Sequence, residues 1–382
     1  MEQDGPRIGI AGLGMIGRIH ARSARLAQGR LVGVAASTPE RAAAAAVEIG
    51  ADRAYESAFA LATAPDVDVL HICTPNHLHA SLAITALEHG KHVVCEKPVA
   101  VSHEEALAIE RAAEEAGRVV AVPFVYRYHP VLRHARELVR AGETGPVHLV
   151  HGSYLQDWLL EEGDGNWRVD AQLGGPSRAF ADIGTHWCDL ATFVTDQPFT
   201  AVAAELRTVN AQRPDHAGVT TSVDTEDTAA VLLRTAGGVT GSVVISQVSP
   251  GRKNRLWLQV DGAGASVAFD QEQPETLWIG RRAAATIQPR DPDHLAPAAA
   301  RLATVPAGHP QGYLDCFEAF VADAYAAMAT GTVPDGLPTI ADGVRAAAVT
   351  DAVLASARDG GGWAAVGTNE LPTLSDSMEV SS

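Results

Sequence analysis

Cysteine is scarce in this chain, and its placement excludes several classes of site. The 382 residues contain 4 cysteines, Cys73, Cys95, Cys188 and Cys316, with no Cys-x-x-Cys pair among them. Isolated residues of this kind are typical of reduced, buried thiols in a cytoplasmic protein, not of a disulfide framework or a zinc site. We therefore predict no disulfide, no metal centre and a cytoplasmic location.

Positive charge and long apolar runs are also in short supply. The chain has 29 lysines and arginines against 46 aspartates and glutamates, a formal net charge of -17, and no basic stretch. Such a charge repels nucleic acid and anionic membranes. The first residues lack the pattern of a signal peptide, and no apolar run is long enough to span a bilayer. We predict a globular protein with no nucleic-acid or membrane partner.

What the sequence does contain is a glycine pattern near its start. The apolar residues 8–11 precede Gly12-Leu13-Gly14-Met15-Ile16-Gly17, which predicts a strand, a tight turn and a helix. Glycines at this spacing let the backbone approach a pyrophosphate, whose charge is favoured at a helix N-terminus. We predict that Gly12, Gly14, Met15 and Ile16 contact a dinucleotide. The alternative is a glycine-rich loop that binds nothing.

The chain divides into regions of different periodicity. Residues 1–128 alternate strand and helix patterns, which predicts a Rossmann domain, an α/β fold with a doubly wound parallel sheet. Residues 129–359 are mostly β-rich with a few helices, which predicts an α+β domain with a large, mostly antiparallel open sheet. Residues 360–382 predict a C-terminal tail. Because few elements remain to cover one face of the open sheet, we predict a homodimer or homotetramer through that face.

Three polar clusters lie where chemistry is expected. Thr74-Pro75-Asn76-His77-Leu78-His79 and Glu96-Lys97-Pro98 each follow a strand of the parallel sheet, at the edge where open α/β sheets bind ligands. Asp182-Ile183-Gly184-Thr185-His186 opens a predicted helix over residues 180–195. The spacing places Asp182, His186 and Asp189 on one helical face.

These motifs, in this order, resemble those of the glucose-fructose oxidoreductase/inositol dehydrogenase (Gfo/Idh/MocA) family. The matching stretches are AGLGMIG at 11–17, TPNHLH at 74–79, EKP at 96–98, the pair Tyr126-Arg127, and the segment from Gly174 to His186 that ends in DIGTH. They cover both predicted domains. The resemblance implies an NAD(P)-dependent oxidoreductase that moves a hydride between a sugar or polyol hydroxyl carbon and nicotinamide C4.

The resemblance also implies three catalytic residues. Lys97 would hold the reacting oxygen, next to a Lys97–Pro98 bond that we expect to be cis. His186 would act as general acid/base, with an ordinary pKa of about 6.5. Asp182 would bind the substrate and support proton transfer. The residues alone leave other interpretations open: a solvated lysine, a structural histidine, an aspartate helix cap, or an Asp182–His186 metal pair that lacks further ligands.

The end of the second predicted strand bears on the choice of cofactor. Position 36 is Ala, where NAD-preferring folds usually carry an acidic residue. Ser37, Thr38 and Arg41 suit the 2′-phosphate of NADP(H), which we predict ahead of NAD(H). The alternative is that they cap the next helix or face water. Further predicted cofactor contacts are Thr74, Pro75, Asn76, His79, Glu96 and Lys97.

Aromatic and polar residues of the second domain predict a sugar pocket. Aromatic faces with amide and carboxylate groups suit a pyranose ring. The stretch from Tyr154 to Arg168 resembles the family's subgroup that contains levoglucosan dehydrogenase. The alternative assigns half of the aromatics to the core. The predicted lining residues are Tyr126, Arg127, Tyr154, Gln156, Asp157, Trp158, Trp167 and Arg168, with Asp182 and His186.

Two other functions fit the same motifs. A glycosidase on this scaffold would oxidise a sugar carbon transiently and cleave the glycosidic bond by elimination, with no net redox change. A sensor would bind the dinucleotide without turnover, although such a binder has no need of Lys97, Asp182 and His186 together. Scattered histidines such as His71 are predicted to be structural.

Overall fold

The computed structural model describes residues 5–215 and 218–367, and its first part is built from six strands and five helices. The strands are β1 (Arg7–Ala11), β2 (Arg30–Ala35), β3 (Arg53–Ala54), β4 (Val69–Ile72), β5 (His92–Cys95) and β6 (Val120–Ala121). The helices are α1 (Met15–Leu26), α2 (Pro39–Ile49), α3 (Ala58–Thr63), α4 (His79–Glu88) and α5 (His103–Ala116). All strands are parallel, in the order β3-β2-β1-β4-β5-β6. This is the dinucleotide-binding order, which confirms the predicted doubly wound sheet.

Local signals explain where these helices begin and end. Thr38 caps α2 by accepting a hydrogen bond from the Arg41 N–H, Pro39 is the first helical residue, and a left-handed Gly50 ends the helix. Ser102 caps α5, which ends at Gly117 in the left-handed region. The central strands β1 and β4 are buried on both faces, which explains their unbroken apolar runs.

The second part of the chain forms a larger sheet. Its strands are β7 (Val147–Leu155), β8 (Phe199–Arg207), β11 (Thr228–Thr235), β12 (Thr240–Ser246), β13 (Arg255–Gly262), β14 (Ser266–Asp270), β15 (Thr276–Gly280), β16 (Ala285–Pro289) and β17 (Ala364–Ala365). Strands β9 (Gln212–Pro214) and β10 (Thr220–Ser222) form a separate hairpin. The helices are α6 (Pro130–Arg140), α7 (Ala171–Gly174), α8 (Thr185–Thr195), α9 (Pro297–Ala300), α10 (Tyr313–Thr330) and α11 (Ile340–Arg358). The sheet order is β16-β15-β14-β13-β7-β12-β11-β8-β17, and the β7–β12 pair is parallel whereas the other pairs are antiparallel. The predicted large, mostly antiparallel sheet is confirmed.

The two faces of this sheet differ. The inner face packs on α8 and α11, and Trp187, Leu190 and Val353 lie in the shared core. The outer face carries exposed apolar side chains from several strands, namely Leu232, Val244, Trp278 and Ile287. Strand β11 shows why, since buried and exposed residues alternate along it. Within the described ranges, no helix is long and apolar enough to cross a membrane.

Three features depart from the sequence predictions. Helix α10 lies within the predicted second domain, yet it packs on α1 and adds Phe317 and Phe320 to a core of the Rossmann domain. The sequence predicts a tail from residue 360, yet β17 pairs with β8; residues 368–382 lie outside the described residues. The helix predicted over 180–195 begins with a π turn, Phe180–Gly184, before α8.

Candidate active site

The glycine loop after β1 forms an open cradle at the start of α1. Gly12 has a φ of 92°, and a Cβ there would lie 2.5 Å from the Cys73 carbonyl oxygen. A Cβ on Gly14 would instead meet no atom of the described chain within 4 Å. Among the described residues, no side chain caps α1 and no acidic residue lies in its first turn. Its N–H groups therefore suit an anion, and the loop fits the pyrophosphate of a dinucleotide.

Ser37, Thr38 and Arg41 lie together just beyond β2. The Arg41 guanidinium donates to Ser37 Oγ at 3.1 Å, and the Arg41 main-chain N–H donates to Thr38 Oγ1 at 3.2 Å. Thr38 is thus the cap of α2, as the alternative interpretation has it. Ser37 and Arg41 form an exposed pair at the end of the strand where this fold binds the ribose.

The loop after β4 joins the two domains. Asn76 Nδ2 donates to the Gly174 carbonyl oxygen at 2.8 Å. His79 Nδ1 lies 2.8 Å from the Pro98 carbonyl oxygen, and its Nε2 lies 2.9 Å from that of Thr74. Both side chains are buried and hold loops together, which argues against the predicted side-chain contacts with the cofactor.

Other predicted cofactor contacts remain accessible at this edge. Thr74 Oγ1 is buried and has no hydrogen-bond partner in the part of the chain that is described. A ligand at this edge would supply the missing partner, which supports the fit of a dinucleotide. Met15, Ile16, Thr74 and Pro75 are exposed or half-buried here.

Lys97 and Asp182 form an ion pair between the two domains. The Lys97–Pro98 bond is cis, as predicted. Lys97 Nζ donates to Asp182 Oδ1 at 2.8 Å and to the Asp182 carbonyl oxygen at 2.9 Å. Each side chain is 14% exposed. Because an ammonium group has three N–H donors, one is left for a ligand.

Two further groups hold the Asp182 carboxylate. Gln247 Nε2 donates to Oδ2 at 2.9 Å, and Arg168 Nε lies 3.5 Å from Oδ1. Burial alone would raise the pKa of Asp182, but Lys97 and then Arg168 outweigh burial and hold that pKa below its ordinary value. Asp182 is therefore an ionised anchor at neutral pH.

His186 lies in an aromatic enclosure beside this ion pair. Its ring centroid is 4.9 Å from that of Tyr126, 5.7 Å from Phe124 and 6.4 Å from Tyr154. Its Nδ1 is buried without a hydrogen-bond partner among the described residues. Burial, and then the charge of Lys97, lowers the pKa of His186 well below its ordinary value. His186 is therefore neutral at neutral pH, which corrects the expectation of an ordinary pKa.

The predicted sugar-pocket residues meet in one hydrogen-bond network. The hydroxyl oxygens of Tyr126 and Tyr154 are 2.6 Å apart, and Tyr154 donates to Asn254 Oδ1 at 2.7 Å. Gln156 Nε2 donates to the same oxygen at 2.7 Å, and Trp158 Nε1 donates to Gln156 Oε1 at 2.8 Å. The network joins residues up to 100 positions apart into one wall. Asn254, absent from the predicted set, is at its centre.

Arg127 is placed differently from the prediction. Its guanidinium donates to Asp189 Oδ2 at 2.8 Å and to Asp342 Oδ1 at 2.5 Å, and the residue is 5% exposed. Burial raises the pKa of Asp189 to about 6 although Arg127 opposes it. This cluster joins α8 to α11, so the placement of Arg127 argues against contact with substrate.

The remaining predicted lining residues are Asp157, Trp167 and Arg168. The Arg168 guanidinium lies 4.4 Å from the centroid of the Trp167 ring. Asp157 accepts hydrogen bonds from Lys253 at 2.7 Å and from the Gly251 N–H at 3.0 Å. Asp157 therefore fixes the loop before β13, while Trp167 and Arg168 stay half-buried beside Asp182.

Comparison with known proteins shows the family of this chain. Residues 6–124 match the oxidoreductase family with an NAD-binding Rossmann fold, and residues 132–268 match the GFO/IDH/MocA C-terminal domain. Levoglucosan dehydrogenase of Pseudarthrobacter phenanthrenivorans is 33% identical over 346 residues, which are 85% of this chain and 86% of that protein. The chain belongs to the Gfo/Idh/MocA family.

Structures of family members extend the comparison. Levoglucosan dehydrogenase in complex with NADH and levoglucosan has a TM-score of 0.88 and 30% identity, over 95% of this chain and 99% of that one. An inositol dehydrogenase homologue from Azotobacter vinelandii, in complex with NADH and myo-inositol, has a TM-score of 0.84 and 27% identity, over 95% and 98% of the two chains. Other relatives are named scyllo-inositol 2-dehydrogenase (NAD(+)), inositol 2-dehydrogenase and 1,5-anhydro-D-fructose reductase, and this member of the family is an oxidoreductase.

Sequence reasoning missed two polar residues of the site. Gln247 directly follows β12 and Asn254 directly precedes β13. A polar residue at a strand end is a weak signal, because strand ends commonly carry polar turn residues. Only the approach of these ends to Asp182 and Tyr154 distinguishes them.

Proposed function

We propose that the protein is an NAD(P)-dependent dehydrogenase that transfers a hydride between a hydroxyl-bearing carbon of a pyranose and nicotinamide C4. The observation that carries this proposal is the assembly of Lys97, Asp182 and His186 at the carboxyl edge of the parallel sheet. The assembly faces a wall of phenol, amide and indole groups. Dehydrogenase chemistry accounts for both the assembly and the wall.

The proton chemistry follows from the charges of these residues. Neutral His186 accepts the hydroxyl proton during oxidation, and a lowered pKa keeps it in the base form at neutral pH. Lys97 directs its remaining N–H at the reacting oxygen and favours the deprotonated form of that oxygen. Asp182 holds the Lys97 ammonium group in place. The bound nicotinamide supplies the hydride acceptor or donor.

A neutral cyclic sugar fits the pocket best. Tyr126, Tyr154, Gln156 and Trp158 present hydroxyl, amide and indole groups, which match sugar hydroxyls and the flat face of a ring. The complexes of levoglucosan dehydrogenase with levoglucosan and with L-sorbose support this class of substrate.

NADP(H) is proposed ahead of NAD(H). Ala36 leaves the end of β2 without an acidic side chain, and Arg41 with Ser37 offers hydrogen-bond donors there. One relative, D-xylose 1-dehydrogenase (NADP(+)) 2 of Haloferax volcanii, is 30% identical over 275 residues. The NADH complexes of levoglucosan dehydrogenase instead favour NAD(H).

The outer face of the nine-stranded sheet is proposed as the contact between subunits of a homodimer or homotetramer. Its apolar side chains Leu232, Val244 and Ile287 are 50–58% exposed in the single chain. Apolar side chains exposed on one face of a sheet are the kind of surface that a protein–protein interface would cover. We propose a cytoplasmic location for the assembly, on the cysteine usage alone.

The test measures the formation of reduced nicotinamide through its near-ultraviolet absorbance. Pyranoses, anhydrosugars, inositols and simple glycosides are each offered with NAD and with NADP. Rising absorbance with one sugar class, faster with NADP, is the expected result. Cleavage of a glycoside without accumulation of reduced cofactor would establish the glycosidase instead. Cofactor binding with no turnover of any sugar or ketosugar would favour the sensor.

A further inference from the structure

A buried chain of hydrogen bonds runs behind the Lys97 turn. Glu96 Oε1 lies 3.0 Å from His20 Nε2, His20 Nδ1 lies 2.8 Å from His71 Nδ1, and His71 Nε2 lies 2.8 Å from the Tyr325 hydroxyl. The two histidines are 0% exposed, Glu96 is 7% and Tyr325 is 6% exposed. This hydrogen-bond chain connects α1, β4, the end of β5 and α10, and its residues are shielded from bulk water.

The proton positions along this chain follow from the chemistry of its ends. Burial would raise the pKa of Glu96, but His20 and then Lys97 lower it, so Glu96 is an ionised acceptor. Burial raises the pKa of Tyr325 well above its ordinary value and lowers that of His71, so the phenol is protonated and the imidazole neutral. An arrangement that fits these states has Tyr325 donating to His71 Nε2, His71 Nδ1 donating to His20 Nδ1, and His20 Nε2 donating to Glu96.

The far side of Glu96 meets the catalytic turn. Glu96 Oε2 accepts the Lys97 main-chain N–H at 3.1 Å. The carboxylate therefore fixes the residue whose Nζ holds Asp182. The other titratable groups that interact with Glu96 are Cys73, Cys95, His79 and Tyr313. Burial raises the pKa of the two thiols and the phenol and lowers the pKa of the imidazole, so burial favours the uncharged form of each group. His20 is the partner that hydrogen-bonds the buried carboxylate from behind the turn.

We propose that His20, His71 and Tyr325 are positioning residues for Lys97, because they hold Glu96 as a carboxylate against the Lys97 main chain. The chain also ties α1, which carries the glycine loop, to the turn that carries Lys97. The hydrogen bonds thereby fix the position of the glycine loop relative to Lys97. This inference rests on the proposed dehydrogenase function for its kinetic readout only.

Substitutions of His20 separate positioning from mere packing. His20→Leu removes the donor to Glu96, whereas His20→Gln keeps an N–H donor of similar reach without the ring. We expect His20→Leu to lower kcat about 10- to 100-fold, the range for loss of a hydrogen bond to a charged group, with a much smaller change in the sugar KM. His20→Gln should recover most of the rate. The acid limb of the kcat/KM profile should move to higher pH in His20→Leu.

Tyrosine variants give a milder test, because each removes a single oxygen atom. Tyr325→Phe removes only the terminal hydroxyl and should shift the acid limb in the same direction by a smaller amount. Tyr128→Phe is the matched control. The buried Tyr128 hydroxyl donates to Asp323, and neither residue belongs to the hydrogen-bond chain from Tyr325 to Glu96. We expect an unchanged pH profile for that control.

An infrared titration tests the inference without any sugar or cofactor. The protonated-carboxyl band of Glu96 is assigned by its loss in Glu96→Gln. It should appear at higher pH in His20→Leu than in the unmodified protein. An unshifted band, an unchanged pH profile in folded His20→Leu, or a His20→Gln variant as impaired as His20→Leu would overturn the inference. Failure of the unmodified protein to oxidise any sugar would instead refute the proposed function, and the infrared result would still decide this one.

Discussion

Replacing Lys97 with Met removes the charge of the ion pair and keeps most of the side chain. Asp182, 14% exposed, then loses its main counter-charge. Breaking one side of a buried ion pair costs about 3–5 kcal/mol. Because Arg168 lies 3.5 Å from the same carboxylate oxygen and Gln247 holds the other, we expect a loss near the lower end, about 3 kcal/mol of unfolding free energy.

A double variant separates this structural cost from the chemistry. Lys97→Met with Asp182→Asn removes both charges and should restore most of the unfolding free energy, measured by urea denaturation. Turnover, measured as reduced nicotinamide formed, should stay low by on the order of 100- to 1,000-fold, since the donor at the developing charge is still missing. Cofactor affinity should be nearly unchanged in both variants.

Lys91→Met is the matched control for a buried lysine. Lys91 is 3% exposed, and its ammonium group donates to the carbonyl oxygens of Ala64 and Val67, away from the site. It should lose stability while the folded enzyme keeps its kcat. Turnover by Lys97→Met within about tenfold of the unmodified enzyme would refute the assigned role of Lys97.

The remaining predictions concern pH, cofactor and assembly. In sugar oxidation, the acid limb of kcat/KM should lie below about pH 6.5, because burial lowers the pKa of His186 and activity is lost only as pH falls through that pKa; a limb above pH 6.5 would contradict this. Arg41→Ala should weaken NADP(H) binding about tenfold or more in fluorescence titrations and leave NAD(H) affinity nearly unchanged. Equal losses for the two cofactors would count against NADP(H). Trp278→Lys, at a residue 36% exposed on the outer sheet face, should yield smaller species in sedimentation; an unmodified protein that is already monomeric would exclude this interface.

Elements with local signals could be predicted from the sequence. The glycine loop and the apolar runs of the buried strands lie within short segments, so pattern alone located them. The cis bond before Pro98 and the placing of Lys97 next to Asp182 agree with the motif order. The large antiparallel sheet was within reach because its strands alternate buried and exposed residues.

The details that pattern could not supply depend on distant partners. Asp182 meets Gln247 across 65 positions, and Arg127 meets Asp342 across 215, so no local window contains either pair. Strands β15 and β16 have only five residues each, and the edge strand β16 has no buried residue, which weakens their periodicity. The low pKa of His186 arises from enclosure by Phe124, Tyr126 and Tyr154, and burial of this kind is a property of the folded chain.

Direct transfer of hydrogen from sugar carbon to cofactor is the central claim, and isotopic labelling measures it. A pyranose that carries deuterium at the oxidised carbon is incubated with the enzyme and oxidised cofactor, and the reduced cofactor is isolated for NMR. The account predicts deuterium at nicotinamide C4, on one face only, in the reduced cofactor formed. Reduced cofactor without deuterium, or consumption of the sugar with no reduced cofactor, would contradict it.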